Sequence, residues 1–392
     1  MIGLIILPFY VLLNCYLQFL FVKWVSLFTN LFNNEIFNIC FLIITIILSL
    51  SYLFALIIPN ELLKRIANKV GNYYLGICIY SYFSIVIYFM LKFAIMFLFS
   101  NYSNEITLIS GFICIMLVIM INIYGIINAK IIHVKRYNLK INKKSDSLKK
   151  IKIVMLADIH LGYNIGVNQV KKMVEIINNE KPDIVIFAGD IFDNNYYAID
   201  NPKKIIELLK GIKSNYGTYA VYGNHDVKEK TLFGFTFNTK KCKFIDNKMD
   251  QLIKRSNIKV LKDNYAIIKD NIYIYGREDY KKIAKGVVNR KNACDITKMM
   301  DNNKTIIIID HQPKQLDELS DSGVDISLSG HTHDGQIFPL NIICRLMYKN
   351  GYGLKKFGNM YSIVTSGVGL YGPNIRVLTK AEITSIDVVF KN

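Results

Sequence analysis

Five of the six histidines fall in four short motifs, all beyond residue 150: Asp158-Ile159-His160, Gly223-Asn224-His225-Asp226, Asp310-His311-Gln312-Pro313 and Gly330-His331-Thr332-His333. A fifth motif, Gly189-Asp190-Ile191-Phe192-Asp193, lies between the first two and carries two carboxylates. Hard divalent cations take carboxylate and carbonyl oxygen, and borderline transition metals take imidazole nitrogen as well. Asp158, His160, Asp190, Asn224, His311, His331 and His333 would therefore suit two cations sharing one carboxylate. On an extended chain, residues two apart point to one face. Asp158 with His160, and His331 with His333, are each expected to bite from one side. Gly189, Gly223 and Gly330 precede ligands and would let the backbone come close. Each motif alone is ordinary: D-x-H reads as a strand end, and G-N-H-D reads as a turn. Their conjunction is not.

Apolar runs position these motifs. Strands are expected over 152–157, 183–188, 219–222, 272–275, 305–309, 324–329, 360–365 and 382–390, with amphipathic helices over 167–179 and 202–212. Every polar motif falls at the C-terminal end of a strand. In α/β sheets, that edge is where ligands bind.

The first third of the chain is different. Four apolar stretches, 2–22, 36–59, 75–99 and 106–127, are each long enough to span a bilayer, which takes roughly 20 residues. The first lacks a basic start and a small-residue cleavage site, so it reads as a span and not as a signal peptide. The loop over 60–74 holds Lys64, Arg65 and Lys69, and residues 130–150 hold eight Lys/Arg against Asp146 alone. The two other loops hold none, so the basic segments, the N-terminus and the C-terminal domain are expected on the cytoplasmic side. Lys23 alone argues the other way. Lys92 lies within span three and reads as a snorkelling residue. The basic segment is expected to act as a linker or to touch anionic lipid.

The net charge of +18 could steer anionic substrates, although Lys is frequent along the whole chain. No nucleic-acid partner is expected. The seven cysteines show no paired spacing, which argues against a disulfide framework or a zinc knuckle and for a reducing compartment.

The ordered set D-x-H, G-D-x-x-D, G-N-H-D, a lone His and G-H-x-H resembles the signature of the calcineurin-like metallophosphoesterases, over about residues 150–392. With four preceding spans, the chain is similar to bacterial transmembrane proteins that carry such a domain. Residues 330–336 and 365–376 look like that subgroup. The resemblance implies an N-terminal four-helix transmembrane bundle (1–129), a basic linker (130–150) and an α/β domain (151–392) of two packed β-sheets flanked by helices. It also implies roles. Asp158, His160 and His333 would hold one metal, Asn224, His311 and His331 the other, and Asp190 would bridge them. His225 matches the catalytic histidine, with Asp193 as its orienting partner. The cofactors would be two divalent ions, with Mn favoured over Fe or Zn. Asp226 reads as a turn or cap residue. Asn194 stands where the family's protein phosphatases carry a phosphate-gripping Arg, which disfavours that activity.

The expected function is a multi-pass, plasma-membrane phosphohydrolase acting on a phosphoester or pyrophosphate, as a UDP-diacylglucosamine hydrolase does. Its substrate would be a lipid or a lipid-linked nucleotide. The alternatives are a tethered phosphodiesterase of soluble substrates and a membrane sensor or transporter regulated by the domain. Two stretches could cap the site over lipid chains: 228–247, with alternating Phe233, Phe235 and Phe237, and 337–357.

Overall fold

The computed structural model describes residues 2–98, 104–145, 148–228, 231–232, 235–236, 246–280 and 290–391. Two compact units separate, the first built mainly of residues 1–127 and the second of most of the rest.

The first unit is helical: α1 (Ile2–Val25), α2 (Glu35–Ile57), α3 (Glu61–Leu98) and α4 (Asn104–Ala129). All four are long and apolar enough to cross a membrane. At 1.5 Å per residue, the 38 residues of α3 measure about 57 Å, well beyond the roughly 30 Å hydrocarbon core. The basic segment expected as a loop over 60–74 is thus the first turns of α3, and its Lys64, Arg65 and Lys69 fall on helix. The helices associate through small and polar residues, the usual means in a lipid solvent. A Cβ on Gly71 would come within 2.9 Å of Ser51 Oγ and 3.0 Å of the Tyr52 amide, so α2 and α3 meet there backbone to backbone. The Tyr74 hydroxyl (3.0 Å) and the Cys78 thiol (3.0 Å) converge on Asn14 Oδ1, tying α3 to α1. The Trp24 indole donates to the Leu108 carbonyl at 3.1 Å, tying α1 to α4. Phe9, Leu12, Phe93 and Phe97 point outward.

The second unit has two mixed sheets. Its first runs β1 (Ile132–Lys144), β14 (Ala381–Lys391), β2 (Lys150–Leu156), β3 (Ile184–Ala188), β4 (Thr218–Val221), β7 (Lys259–Val260). The second runs β12 (Gly353–Phe357), β13 (Met360–Val364), β11 (Ile326–Ser329), β10 (Thr305–Ile309), β9 (Ile272–Gly276), β8 (Asn264–Ile268). A short hairpin, β5 (Thr231–Leu232) and β6 (Phe235–Thr236), forms a sheet of its own and groups with the first unit. In the first sheet β2, β3 and β4 run parallel, as do β9, β10, β11 and β13 in the second.

Alternation along the strands builds the layers. Ile153 and Met155 of β2 face the second sheet, meeting Ile307, Ile309, Ile326 and Leu328 in one core. Val154 and Leu156 face the other way, against α5 (Val167–Asn179), α6 (Pro202–Lys210) and α7 (Asn247–Arg255), with Met173, Ile177, Ile205, Leu209 and Leu252 packed there. The short helices α8 (Ala293–Thr297) and α9 (Leu316–Asp321) cover the outer face of the second sheet through Ile296, Leu316 and Leu319. The result is the expected helix–sheet–sheet–helix sandwich.

The linker expected over 130–150 is not what forms there. Residues 132–144 are β1, paired in parallel with β14 from Ile132↔Ala381 to Ile141↔Phe390. Leu139 and Ile141 enter the inter-sheet core, while Asn138, Lys140 and Asn142 face out. Arg136 and Lys140 share that outward face, whereas half-buried Lys143 pairs with Asp325 at 2.7 Å; charges on an edge strand also discourage strand-to-strand aggregation.

Candidate metal centre

The C-terminal ends of β2, β3, β4, β10 and β11 open onto one region, and each delivers one motif. Two loops are stitched by backbone bonds: the Asp158 N–H donates to Gly189 O at 3.0 Å and the His160 N–H to Asp190 O at 3.1 Å. The His331 N–H donates to both Asp158 carboxylate oxygens at 3.0 Å. The Gly330 N–H donates to His311 O at 3.0 Å.

The paired ligands converge, but not by strand alternation. β2 ends at Leu156, and φ is positive at Asp158 (54°), His160 (52°), Asp190 (50°), His331 (73°) and His333 (52°). Left-handed backbone at non-glycine residues is uncommon and is concentrated where the surrounding structure over-determines it. Here it turns each side chain inward. The expectation of an extended chain was wrong; the convergence it was meant to explain is present. Two glycines act by lacking a side chain: a Cβ on Gly223 would lie 2.3 Å from Asp190 Oδ1, and one on Gly330 would lie 2.5 Å from Asp158 Oδ2.

Two groups of candidate ligands result, each with its atoms mutually within 4.8 Å: Asp158 with His160 and His333, and Asp190 with His311 and His331. In the first, His160 Nε2 faces His333 Nε2 at 3.1 Å, and His333 Nε2 is 3.7 Å from Asp158 Oδ1. In the second, His311 Nε2 lies 3.1 Å from Asp190 Oδ2 and 3.2 Å from Asn224 Oδ1. The groups meet at Asp190, whose Oδ2 is also 3.9 Å from His160 Nε2.

The donor chemistry suits cations. The Ala188 carbonyl can only accept, so His311 Nδ1, 2.9 Å away, carries a hydrogen. In neutral imidazole the Nε2 lone pair then points at two acceptor oxygens, a repulsive arrangement unless a cation or a proton sits among them. Burial alone would lower the His311 pKa, but the Asp190 charge overrides it and holds it well above the ordinary value. Burial pushes the Asp158 carboxyl up to about 7 and lowers His160 to about 3. So many buried ionisable groups are costly unless paired or metal-bound.

The third group is His160, Asp193 and His225. His225 Nδ1 is hydrogen-bonded to Asn194 Oδ1, and the Asn194 amide in turn donates to Val227 O at 2.9 Å. Asp193, expected to orient His225, lies in the same group but its residue neighbour makes that bond. Burial, then the Asp190 charge, pushes the Asp193 carboxyl up to about 7. The His225 backbone N–H donates to Asp190 Oδ1 at 2.7 Å. Asp226 accepts from Phe192 N–H (2.8 Å) and Gly223 N–H (2.6 Å), fastening one motif to the next as a turn residue would.

Sequence reasoning gave no role to four supports. Tyr371 lays its ring against His225 (centroids 4.6 Å apart), His160 (5.2 Å) and His333 (6.2 Å). Buried Arg376 donates to the carbonyls of Ser366, Gly367 and Gly369 at 2.8–3.2 Å. Arg277 and Arg290 both grip Asp310, beside His311. Arg277 follows Gly276 at the end of β9, the same kind of position as the recognised motifs, and that was the available signal. Phe233 and Phe237 lie outside the described residues, as does the side chain of Phe235.

Residues 151–335 match the sequence profile of the calcineurin-like phosphoesterase family, and this part of the chain is a calcineurin-like metallophosphoesterase domain. An uncharacterised metallophosphoesterase of Campylobacter jejuni is 34% identical over 246 residues, 61% of this chain and 59% of that protein. A transmembrane protein with metallophosphoesterase domain from Danio rerio is 30% identical over 274 residues, 67% of this chain and 59% of the relative. An uncharacterised metallophosphoesterase of Helicobacter pylori is 32% identical over 251 residues, 62% and 61% of the two chains. The chain thus spans about three-fifths of the length of these relatives.

Proposed function

We propose that the chain is a membrane-anchored phosphohydrolase using two divalent cations, Mn favoured. Asp158, His160 and His333 hold one, Asn224, His311 and His331 the other, and Asp190 bridges. The observation that carries this is the position of Asp190 Oδ2, 3.1 Å from His311 Nε2 and 3.9 Å from His160 Nε2. Two such cations would supply a water of lowered pKa and neutralise phosphate oxygens for in-line attack. His225 serves as general acid toward the leaving oxygen. Its Nδ1 bond to Asn194 Oδ1 would fix the ring for that role. Asp193, beside it, supports the protonated ring.

The substrate is a lipid phosphoester or a lipid-linked nucleotide of the UDP-diacylglucosamine kind, and the domain faces the cytoplasm at the plasma membrane. Support comes from the four apolar helices and from their even number, by which Lys64, Arg65, Lys69 and the basic residues of 130–150 would fall on the same side of a membrane. The test uses purified full chain, Mn²⁺ and a panel of nitrophenyl phosphomonoester, phosphodiester and lipid substrates, with Asp190→Asn alongside. That variant should keep its circular dichroism and lose bound metal and several orders of magnitude in turnover. Near wild-type rate and metal content would sink the two-cation reading. A clear preference for the soluble diester would sink the lipid one.

A further inference from the structure

Residues 335–381 hold no acidic residue; of their six Lys/Arg, Arg376 is buried, Arg345 and Lys349 pair with Asp334 and Asp317, and Lys355, Lys356 and Lys380 are exposed. Within this stretch lies α10 (Leu340–Met347). Its buried side is polar or small: Asn341 and Cys344. Its outward side is apolar: Leu340 is 44% exposed, Ile342 49%, Ile343 48%, Leu346 81% and Met347 76%. Just before it Phe338 is 40% exposed, and the Phe338 N–H donates to Val377 O at 3.0 Å, bringing exposed Leu378 alongside. Among the other described residues of this unit, exposed large apolar residues stand singly in sequence, as Ile267, Met299 and Val389 do. Single ones need no explanation, but a contiguous patch rimmed by charge marks a contact surface.

α10 is also fixed in place. Arg345 makes two 2.8 Å bonds to the Asp334 carboxylate, directly after the G-H-T-H motif. A Cβ on Gly335 would come within 2.4 Å of the Leu340 and Asn341 backbone. The Tyr348 ring lies 6.4 Å from that of His331. The apolar face is held rigidly next to a candidate ligand.

We infer that α10, with Phe338 and Leu378, is a membrane-contact element that beds into the headgroup–acyl boundary of an anionic leaflet. Three observations select lipid as the occupant. An outward apolar face flanked by Arg and Lys is the chemistry of an interfacial helix. The absence of acidic residues over 335–381 complements anionic headgroups. Helix α4, apolar enough to span a bilayer, ends at Ala129, two residues before β1 begins, so the domain cannot leave the membrane surface. Bedding α10 would place the mouth of the metal centre at the lipid surface.

The test reads contact and not turnover, so it can fail without the hydrolase reading failing. Full-length Leu346→Trp, and Ile267→Trp as a control on the opposite edge of the second sheet, are placed one copy per nanodisc in phosphatidylglycerol with plain or brominated acyl chains. The wild-type signal from Trp24 is subtracted. The added emission of the Leu346→Trp variant should be blue-shifted and quenched at least about twofold by bromine, and that of Ile267→Trp should be neither. Unshifted, unquenched emission from Leu346→Trp overturns the inference. A blue shift without quenching also overturns it, because protein and not lipid then covers the face. Equal quenching in both variants overturns it by removing specificity.

Discussion

His311 and His160 lie 3.1 and 3.9 Å from the same Asp190 oxygen, yet the two rings are held by different means. His311 Nδ1 donates to the Ala188 carbonyl, and its loop is pinned by Arg277 and Arg290 on Asp310 and by the Gln312 amide on Asp279 at 2.9 Å. His160 Nδ1 and His333 Nδ1 are buried with no hydrogen-bond partner among the described residues. Those two rings are instead stacked on each other (centroids 5.1 Å apart) and against Tyr371. The His311 ring is oriented by hydrogen bonds and charge, the His160 and His333 rings by packing. Outer partners of a ligating histidine fix its tautomer and raise its basicity, and losing them typically costs about 10–100-fold in metal affinity. The two proposed cation positions should therefore differ in strength.

The largest expected effect concerns the residue beside both halves that is assigned to neither. His225→Ala should keep two metal equivalents by elemental analysis and lose about 10²–10⁴-fold in kcat. Loss of one equivalent would make His225 a ligand and redraw the comparison. Next comes the charge support of the His311 half. Asp310→Ala leaves Arg277, whose side chain is fully buried, without its carboxylate. Removing one partner of a buried pair costs about 3–5 kcal/mol. Urea unfolding should show that loss, and the midpoint of Glu207→Ala, whose ion pair with Lys204 is exposed on both sides, should move much less. Equal shifts would mean the His311 loop is not specially braced.

How much of this was legible depends on whether the determining interactions are local. Helix α5 forms over the residues expected, 167–179, because Val170, Met173, Val174 and Ile177 recur at helical spacing and all are buried. Strand β10 also matches, a run of isoleucines with no polar break. All seven candidate ligands reach one region because each follows a strand. β1 escaped notice because its eight-charge neighbourhood masked the inward Leu139 and Ile141, and because its partner β14 is the last strand of the chain. The turn geometry at Asp158 and His160 was not legible either. Positive φ at an aspartate and a histidine is imposed by bonds to Gly189, Asp190 and His331, which are remote in sequence. Asn194 was seen only as an absent arginine. Its role beside His225 depends on the amide being turned by Val227 O.

A chelator titration sharpens the comparison more directly. The holoprotein should release its two equivalents in separate steps, with apparent affinities about 10–100-fold apart. His160→Ala should abolish the weaker step and leave the stronger, and His311→Ala should do the reverse or lose both. A single step of two equivalents would show that Asp190 couples the positions so tightly that their different supports do not matter.

The smallest effect tests packing as a support. Tyr371 lays its ring against His160, His333 and the neighbouring His225, and its backbone N–H donates to Gln336 Oε1 at 2.8 Å. Tyr371→Phe keeps the ring and should leave both chelation steps in place. Tyr371→Ala removes it, and His160 and His333, lacking Nδ1 partners, gain rotational freedom. The weaker step should then weaken further, by less than about tenfold, because no ligand is lost. The stronger step should not move, since His311 is held by Ala188 and His331 packs against Tyr348 instead. If Tyr371→Phe reproduces the Ala result, the hydroxyl matters and the ring does not. If Tyr371→Ala weakens both steps alike, the two halves are not held separately, and the contrast between packing and hydrogen bonding fails.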